Sequence, residues 1–327
     1  MKRFLLVLIS VFILAACSRE AAPTEDREDA IEAEPTVKLN IVCTVFPQYD
    51  WLREIIGEKS DNFELTLLID SSVDMHSFSP SMNDIARISK ADLFIYVGGH
   101  SDDWVKDALA QAINPDMVVI NMVEALGDAI LMIEHDCEDE ECDDDHDDYE
   151  DEELHEEEHV WTSLRMSKVL CGIIAEAVIQ LNAENEEAYR ENLSVYTAKL
   201  TELDERYKEM VAEASGDTVV FADRFPFLYM MNDYGISHYA AFSGCSAEAE
   251  ASFSTIVQLS RRIDELELDF IMITETGKRD IAETIINATE AGNQKILVLD
   301  GMKTANSSMN YLSIMESNLE VLREALS

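Results

Sequence analysis

The 327-residue chain carries only 24 Lys and Arg against 67 Asp and Glu, so its formal charge is 24 − 67 = −43. With so few cations there is no basic face for a nucleic-acid backbone, which excludes nucleic acid as a partner. Beyond the first residues no apolar run is long enough to span a bilayer. The catalytic signatures Gly-x-Ser-x-Gly and Gly-x-x-x-x-Gly-Lys are missing, which argues against a serine hydrolase of that type or a nucleotide enzyme. The cysteines give no disulfide framework either. Five remain after Cys17, an odd number at irregular spacings, with Cys43 and Cys171 in apolar runs that read as core. What the chain does have is 47% hydrophobic residues in periodic runs, enough for a sizeable core and roughly two domains.

Lys2 and Arg3 precede the apolar stretch Phe4 to Leu14, followed by Leu14-Ala15-Ala16-Cys17. This resembles a bacterial lipoprotein signal, which implies cleavage before Cys17 and acylation of its thiol. The expected location is the cell membrane, lipid-anchored on the extracytoplasmic face. The reading assigns 1–16 to the signal and 17–36 to a polar tether carrying Pro23 and Pro35.

Eight aliphatic or β-branched runs follow. Four are Leu39–Val45, Leu65–Ile69, Leu93–Val97 and Met117–Ile120, and four are Thr218–Phe221, His238–Phe242, Phe270–Thr274 and Lys295–Leu299. Continuous apolar strands alternating with helical segments predict parallel sheets buried on both faces. The fold class expected is α/β, with two lobes of four parallel strands flanked by helices and joined by a long backbone helix. The N-terminal lobe spans 37–161, a helical segment 162–215, and the C-terminal lobe 216–327. Ser79-Pro80 reads as the cap and first position of a helix through Ser89. The connector, Thr162 to Leu181 and then Ala183 to Ala214, has apolar positions at three- and four-residue steps and limits how far the lobes can open.

The segment 134–158 holds eighteen carboxylates in 25 residues, together with His135, His146, His155, Cys137 and Cys142, and no basic residue. So many like charges predict a mobile acidic loop, either solvated or a weak collector of metal cations. It lacks the ligand order of an EF-hand.

Ligands of open α/β sheets bind past the carboxyl ends of strands. The metal-competent residues there are His76, Asp223, Glu275 and Asp300, with His159 where the acidic loop meets the next helix. Each has an ordinary alternative. Asp223 pairs with Arg224, Glu275 with Lys278 or Arg279, and Asp300 caps a turn. Together, two imidazoles and one or two carboxylates suit tetrahedral zinc, or manganese with more oxygen.

On the Asp74-Met75-His76-Ser77-Phe78-Ser79-Pro80 motif, the acidic His-bearing loop, His159-Val160-Trp161, the helical connector and Leu299-Asp300-Gly301, the chain resembles the zinc- or manganese-specific substrate-binding lipoproteins of ABC importers. The likeness covers about residues 38 to 327. It implies one metal in a cleft between two lobes, with His76, His159 and Asp300 matching family ligands. It also implies an ABC-transporter membrane permease as partner, a monomer, and no enzymatic activity. The third ligand stays open among Asp223, Glu275, His238, Cys245 and Glu250. Zn²⁺ is the expected cargo, Mn²⁺ or Fe²⁺ the alternative. A lipid anchor is also compatible with a surface adhesin. His100 reads as a loop residue.

Overall fold

In the computed structural model the described residues are 38–70, 73–134, 154–242 and 251–327. Cys17, Cys245, Glu250 and most of the acidic segment lie outside them. The first sheet consists of β1 (Leu39–Cys43), β2 (Phe63–Leu67), β3 (Leu93–Tyr96) and β4 (Val118–Asn121), all parallel in the order β2-β1-β3-β4. A short antiparallel ribbon follows, β5 (Met132–Glu134) on β6 (Leu154–Glu156). The second sheet comprises β7 (Thr218–Phe221), β8 (Ser237–Ala240), β9 (Phe270–Thr274) and β10 (Lys295–Leu299), parallel in the order β10-β9-β7-β8. The two sheets share one topology, since each turns about its first and third strands.

The eight expected strands are all present, with ends shifted by a residue or two. β9 (FIMIT) is buried at every position, as a central parallel strand between helical layers should be. The helices of the first half are α1 (Phe46–Ile56), α2 (Met82–Ile88), α3 (Val105–Leu109) and α4 (Met122–Leu126). α2 starts later than the Ser79-Pro80 pair suggests. Ser81 Oγ accepts from Asp84 N–H and Asp84 Oδ2 accepts from Ser81 N–H, so a reciprocal box caps the helix two residues on. The connector is α5 (Leu164–Leu181), a 3₁₀ turn at Ala183–Asn185, and α6 (Glu186–Glu213). At about 1.5 Å per residue, the 28 residues of α6 reach roughly 42 Å. The second half adds α7 (Leu228–Tyr234), α8 (Phe253–Glu265), α9 (Arg279–Ala288) and α10 (Tyr311–Leu326).

One apolar core is continuous through both halves. It runs from Ile41 and Leu93 through Leu170, Ile174, Tyr196 and Leu200 to Phe221, Met272 and Leu319. Smaller clusters cover the outer sheet faces, one around Val42 and Phe94, the other around Val220 and Ile271. Cys43 and Cys171 are free and buried, as their runs suggest.

Polar bonds pin the halves together inside this core. Asp50 of α1 is fully buried and accepts from the Tyr311 N–H at 2.8 Å, placing a carboxylate at the start of α10. The Tyr311 hydroxyl donates to Trp161 C=O at 2.7 Å, and Tyr207 of α6 donates to Met315 C=O at 2.6 Å. The Trp161 indole N–H donates to Gly301 C=O at 3.1 Å. Trp51 and Tyr311 meet edge to face at 5.5 Å.

Asp50→Ala is therefore expected to cost about 2 kcal/mol of stability, the scale of a buried charged hydrogen bond. Urea unfolding measures it, and a loss too small to resolve would show that this bond does not hold α1 to α10.

Candidate metal centre

His76 follows β2 on a 3₁₀ turn (Met75–Ser77), whose cap, Asp74, accepts from the His76 N–H. His159 opens the turn Val160–Thr162 that leads into α5. The fold brings the two rings together, with Nε2 to Nε2 at 3.2 Å and ring centroids 5.1 Å apart. Two nitrogens bound to one tetrahedral zinc at 2.0–2.1 Å lie roughly 3.3 Å from each other. The pair already has that spacing.

Each ring is held from behind. Glu157 Oε1 accepts from the His159 backbone N–H at 2.9 Å and pairs with its Nδ1. This fixes the Nδ1–H tautomer, with the Nε2 lone pair directed at His76. His76 Nδ1 is bonded to Ser101 Oγ at 2.7 Å. Glu158 Oε2 lies 3.5 Å from His76 Nδ1, is buried, and has no hydrogen-bond partner. It is placed to take an Nδ1–H if the His76 tautomer changes. Glu158 Oε1 in turn accepts from Ser101 N–H at 2.8 Å. This packing needs Gly99, whose φ is +73°, because a Cβ there would lie 2.5 Å from Glu158 Oε1.

Glu157 and Glu158 thus differ from the expectation of a mobile acidic loop over 134–158. The end of that segment pairs as β6, and the next two carboxylates are 2% and 6% exposed. Tyr229 of α7 anchors the ribbon by donating to Glu157 C=O at 2.7 Å and accepting from Leu131 N–H at 3.2 Å. Sequence reasoning counted these glutamates as solvated charge. The available signal was their position directly before the apolar Val160-Trp161.

Burial sets the charge state of the His76 ring. Burial, with the neighbouring His159, holds His76 down to about 3 against the pull of Asp74 and Glu157, so it is neutral at physiological pH. Burial raises Glu157, but the His159 ring and its hydrogen bonds outweigh that and leave it below the usual carboxylate range.

The pocket that these histidines line is also lined by Glu275, Arg224 and Lys303 from the second half. Asp74 joins the sides, its Oδ2 accepting from Arg224 Nη1 at 2.8 Å and Lys303 Nζ at 2.6 Å. Arg224 therefore pairs with Asp74 rather than with its neighbour Asp223. Burial raises Asp74, yet the Lys303 bond and charge prevail and its pKa is lowered.

The other sequence candidates fall into distinct places. Glu275 accepts from Gly301 N–H at 2.8 Å and Lys303 N–H at 2.6 Å, not from Lys278 or Arg279. Asp300 accepts from Met302 N–H at 2.7 Å, and burial plus the Glu275 charge push it up to about 6. Asp223 is turned to β9, where Thr274 N–H and the Thr274 hydroxyl donate to its Oδ2, and it does not line the pocket. His238 stacks on Phe225 at 4.0 Å. Among the described residues no three His, Cys, Asp or Glu side chains already meet at one point. The structure brings His76 and His159 into contact and sets Glu275 on the wall of the same pocket, with Asp300 beside it.

Comparison with known proteins gives consistent findings. A family model described as zinc-uptake complex component A, periplasmic, matches residues 41–325. The zinc-binding lipoprotein AdcA of Streptococcus pneumoniae is 29% identical over 334 residues, covering 99% of this chain, which spans 61% of that relative's length. The high-affinity zinc uptake system protein ZnuA of Bacillus subtilis is 27% identical over 319 residues, covering 97% of each. The crystal structure of the Zn(II)-bound ZnuA-like domain of S. pneumoniae AdcA superimposes with a TM-score of 0.67 at 26% identity, covering 89% of this chain and 99% of that one.

Asp102 gives a pH test of the turn beneath Ser101. Its Oδ2 accepts from Val97 and Gly98 N–H at 2.9 and 3.0 Å, and burial raises it from 3.8 to about 6. The folded state therefore holds this proton more tightly than the unfolded state. Its contribution is present below 3.8 and is lost as pH rises through 6. Relative to the native chain, Asp102→Asn should gain stability on the order of 2 kcal/mol between pH 4 and pH 7. A difference that does not change with pH, measured by urea unfolding, would contradict the shift.

Proposed function

The chain belongs to the zinc-uptake complex component A family, and from that premise we propose that it captures Zn²⁺ between its two lobes and delivers it to an ABC-transporter permease. The observation that carries this reading is the 3.2 Å approach of His76 Nε2 to His159 Nε2, both rings oriented through Nδ1. Two imidazole nitrogens suit zinc, and Glu275 and Asp300 supply oxygen donors from the opposite lobe. Asp223, engaged by Thr274, is the less accessible candidate. The cargo is bound and released without a bond being made or broken in a substrate, so no residue is assigned a catalytic role.

The capture step follows from the chain's own groups. His159 presents its Nε2 lone pair at once. His76 presents its own after the ring proton passes to Nδ1, where Ser101 and Glu158 can accept it. The Asp74 bonds to Arg224 and Lys303 span the pocket and hold its sides at a set separation. The Cys17 signal supports an acylated, membrane-held mature protein beginning at that residue, and the boundaries at 37, 162 and 216 are our proposed domain limits.

His76→Ala and His159→Ala should each weaken zinc binding about 100-fold or more, while circular dichroism stays native. A chelator-competition titration reads this. Affinity within threefold of the native chain in both variants would sink the assignment. Glu275→Gln and Asp300→Asn in the same titration identify the oxygen donor as the one whose change costs more.

A further inference from the structure

The pocket lined by His76 and His159 also carries two fixed cations, Arg224 and Lys303. Both donate to the same oxygen, Asp74 Oδ2, at 2.8 and 2.6 Å, while Asp74 Oδ1 accepts from the His76 N–H. Two positive charges thus share one carboxylate, two residues before a proposed metal ligand. Arg224 donates through Nη1 alone, and its Nε and Nη2 have no partner among the described residues. The Lys303 charge reaches the His76 ring, where it disfavours protonation. A bare divalent cation on the two imidazoles would meet the same repulsion. Walls such as Val45, Phe46 and Ile69 screen it far less than water does.

Protein donors for an ion are also few. His76 and His159 give two nitrogens. Glu275 is the second-half carboxylate on the pocket wall, and each of its oxygens already accepts a backbone N–H, from Gly301 and Lys303. With one carboxylate oxygen the proposed set reaches three, and tetrahedral zinc takes a fourth. The cavity measures about 60 Å³. A water-sized group needs roughly 10–15 Å³ on that measure, so the space suits an ion together with a group of about four heavy atoms. Arg is the side chain best shaped to bond a planar oxyanion, through two parallel N–H groups, with Lys adding a point charge.

Resting on the zinc reading, we propose that the pocket takes Zn²⁺ together with a small oxyanion of the carbonate or simple carboxylate class, with one oxygen on the metal and the rest bonded to Arg224 and Lys303. The anion supplies the fourth donor, and its negative charge lies between the ion and the two cations. Asp74 holds both cations at the pocket wall and ties their position to the His76 turn. Loading is then cooperative, because ion and anion strengthen each other's binding by the same factor.

Zinc affinity of the full chain, measured by chelator competition at fixed free zinc, tests it in three buffers: a sulfonate buffer stripped of carbon dioxide, the same with bicarbonate, and the same with acetate. At least one anion should tighten zinc about tenfold, the scale of a charge-assisted hydrogen bond. The anion with the larger gain identifies the partner as carbonate or as a carboxylate. Arg224→Gln and Lys303→Met should each remove most of that gain, whatever they do to zinc in the stripped buffer. With the favoured anion labelled in ¹³C, a bound carbon resonance should appear only when zinc is present and should be lost in Arg224→Gln. Tight zinc of equal affinity in all three buffers would overturn the proposal and leave the zinc reading standing, as would a gain retained in full by both variants. No tight zinc in any buffer would overturn both.

Discussion

Tyr311 is the point at which the two halves of the molecule are tied. Its backbone N–H is held by Asp50 of α1, its hydroxyl donates to Trp161 C=O beside the pocket, and its ring packs on Trp51. Around it the core is continuous from the first sheet through α5 and α6 to the second. Two lobes joined only by crossing strands would rotate freely about a hinge. Here a rotation would expose apolar core and break buried hydrogen bonds, each costly without a replacement partner. The lobes are therefore expected to act as one frame, with adjustments left to side chains and loops.

That frame holds His76 and His159 facing each other. His76 rides on a turn after β2 and His159 on the turn entering α5. Glu157 and Ser101 take up the Nδ1 atoms, and burial keeps His76 unprotonated. For the proposed zinc site, rings set in place before an ion arrives lower the ordering cost of binding. Burying Glu157 and Glu158 is costly in itself, and Glu158 is raised by that burial, with its bonds to Ser101 pulling the other way. Their burial is intelligible as part of orienting two imidazoles.

The sheets were legible in the sequence because parallel strands buried on both faces leave long apolar runs, as in Phe270–Thr274. His76 and His159 were legible from their motifs. The partners of Asp74 were not, because Arg224 and Lys303 lie 150 and 229 residues away and only the folded chain brings them to one carboxylate. The ribbon escaped notice because its strands are three residues each and the flanking charge masks any alternation. The start of α2 was misplaced since Pro80 is also compatible with the extended approach to a Ser81 cap. The metal ligands stay a proposal throughout, with Cys245 and Glu250 outside the described residues.

Anomalous diffraction at the zinc edge from the chain crystallised with one equivalent of Zn²⁺ would test the central claim most directly. The account predicts a single peak within bonding distance of both His76 Nε2 and His159 Nε2, with the Tyr311 bonds to Asp50 and Trp161 intact and the lobes unrotated. A peak away from these two rings, or lobes turned relative to each other with the Tyr311 bonds broken, would contradict it.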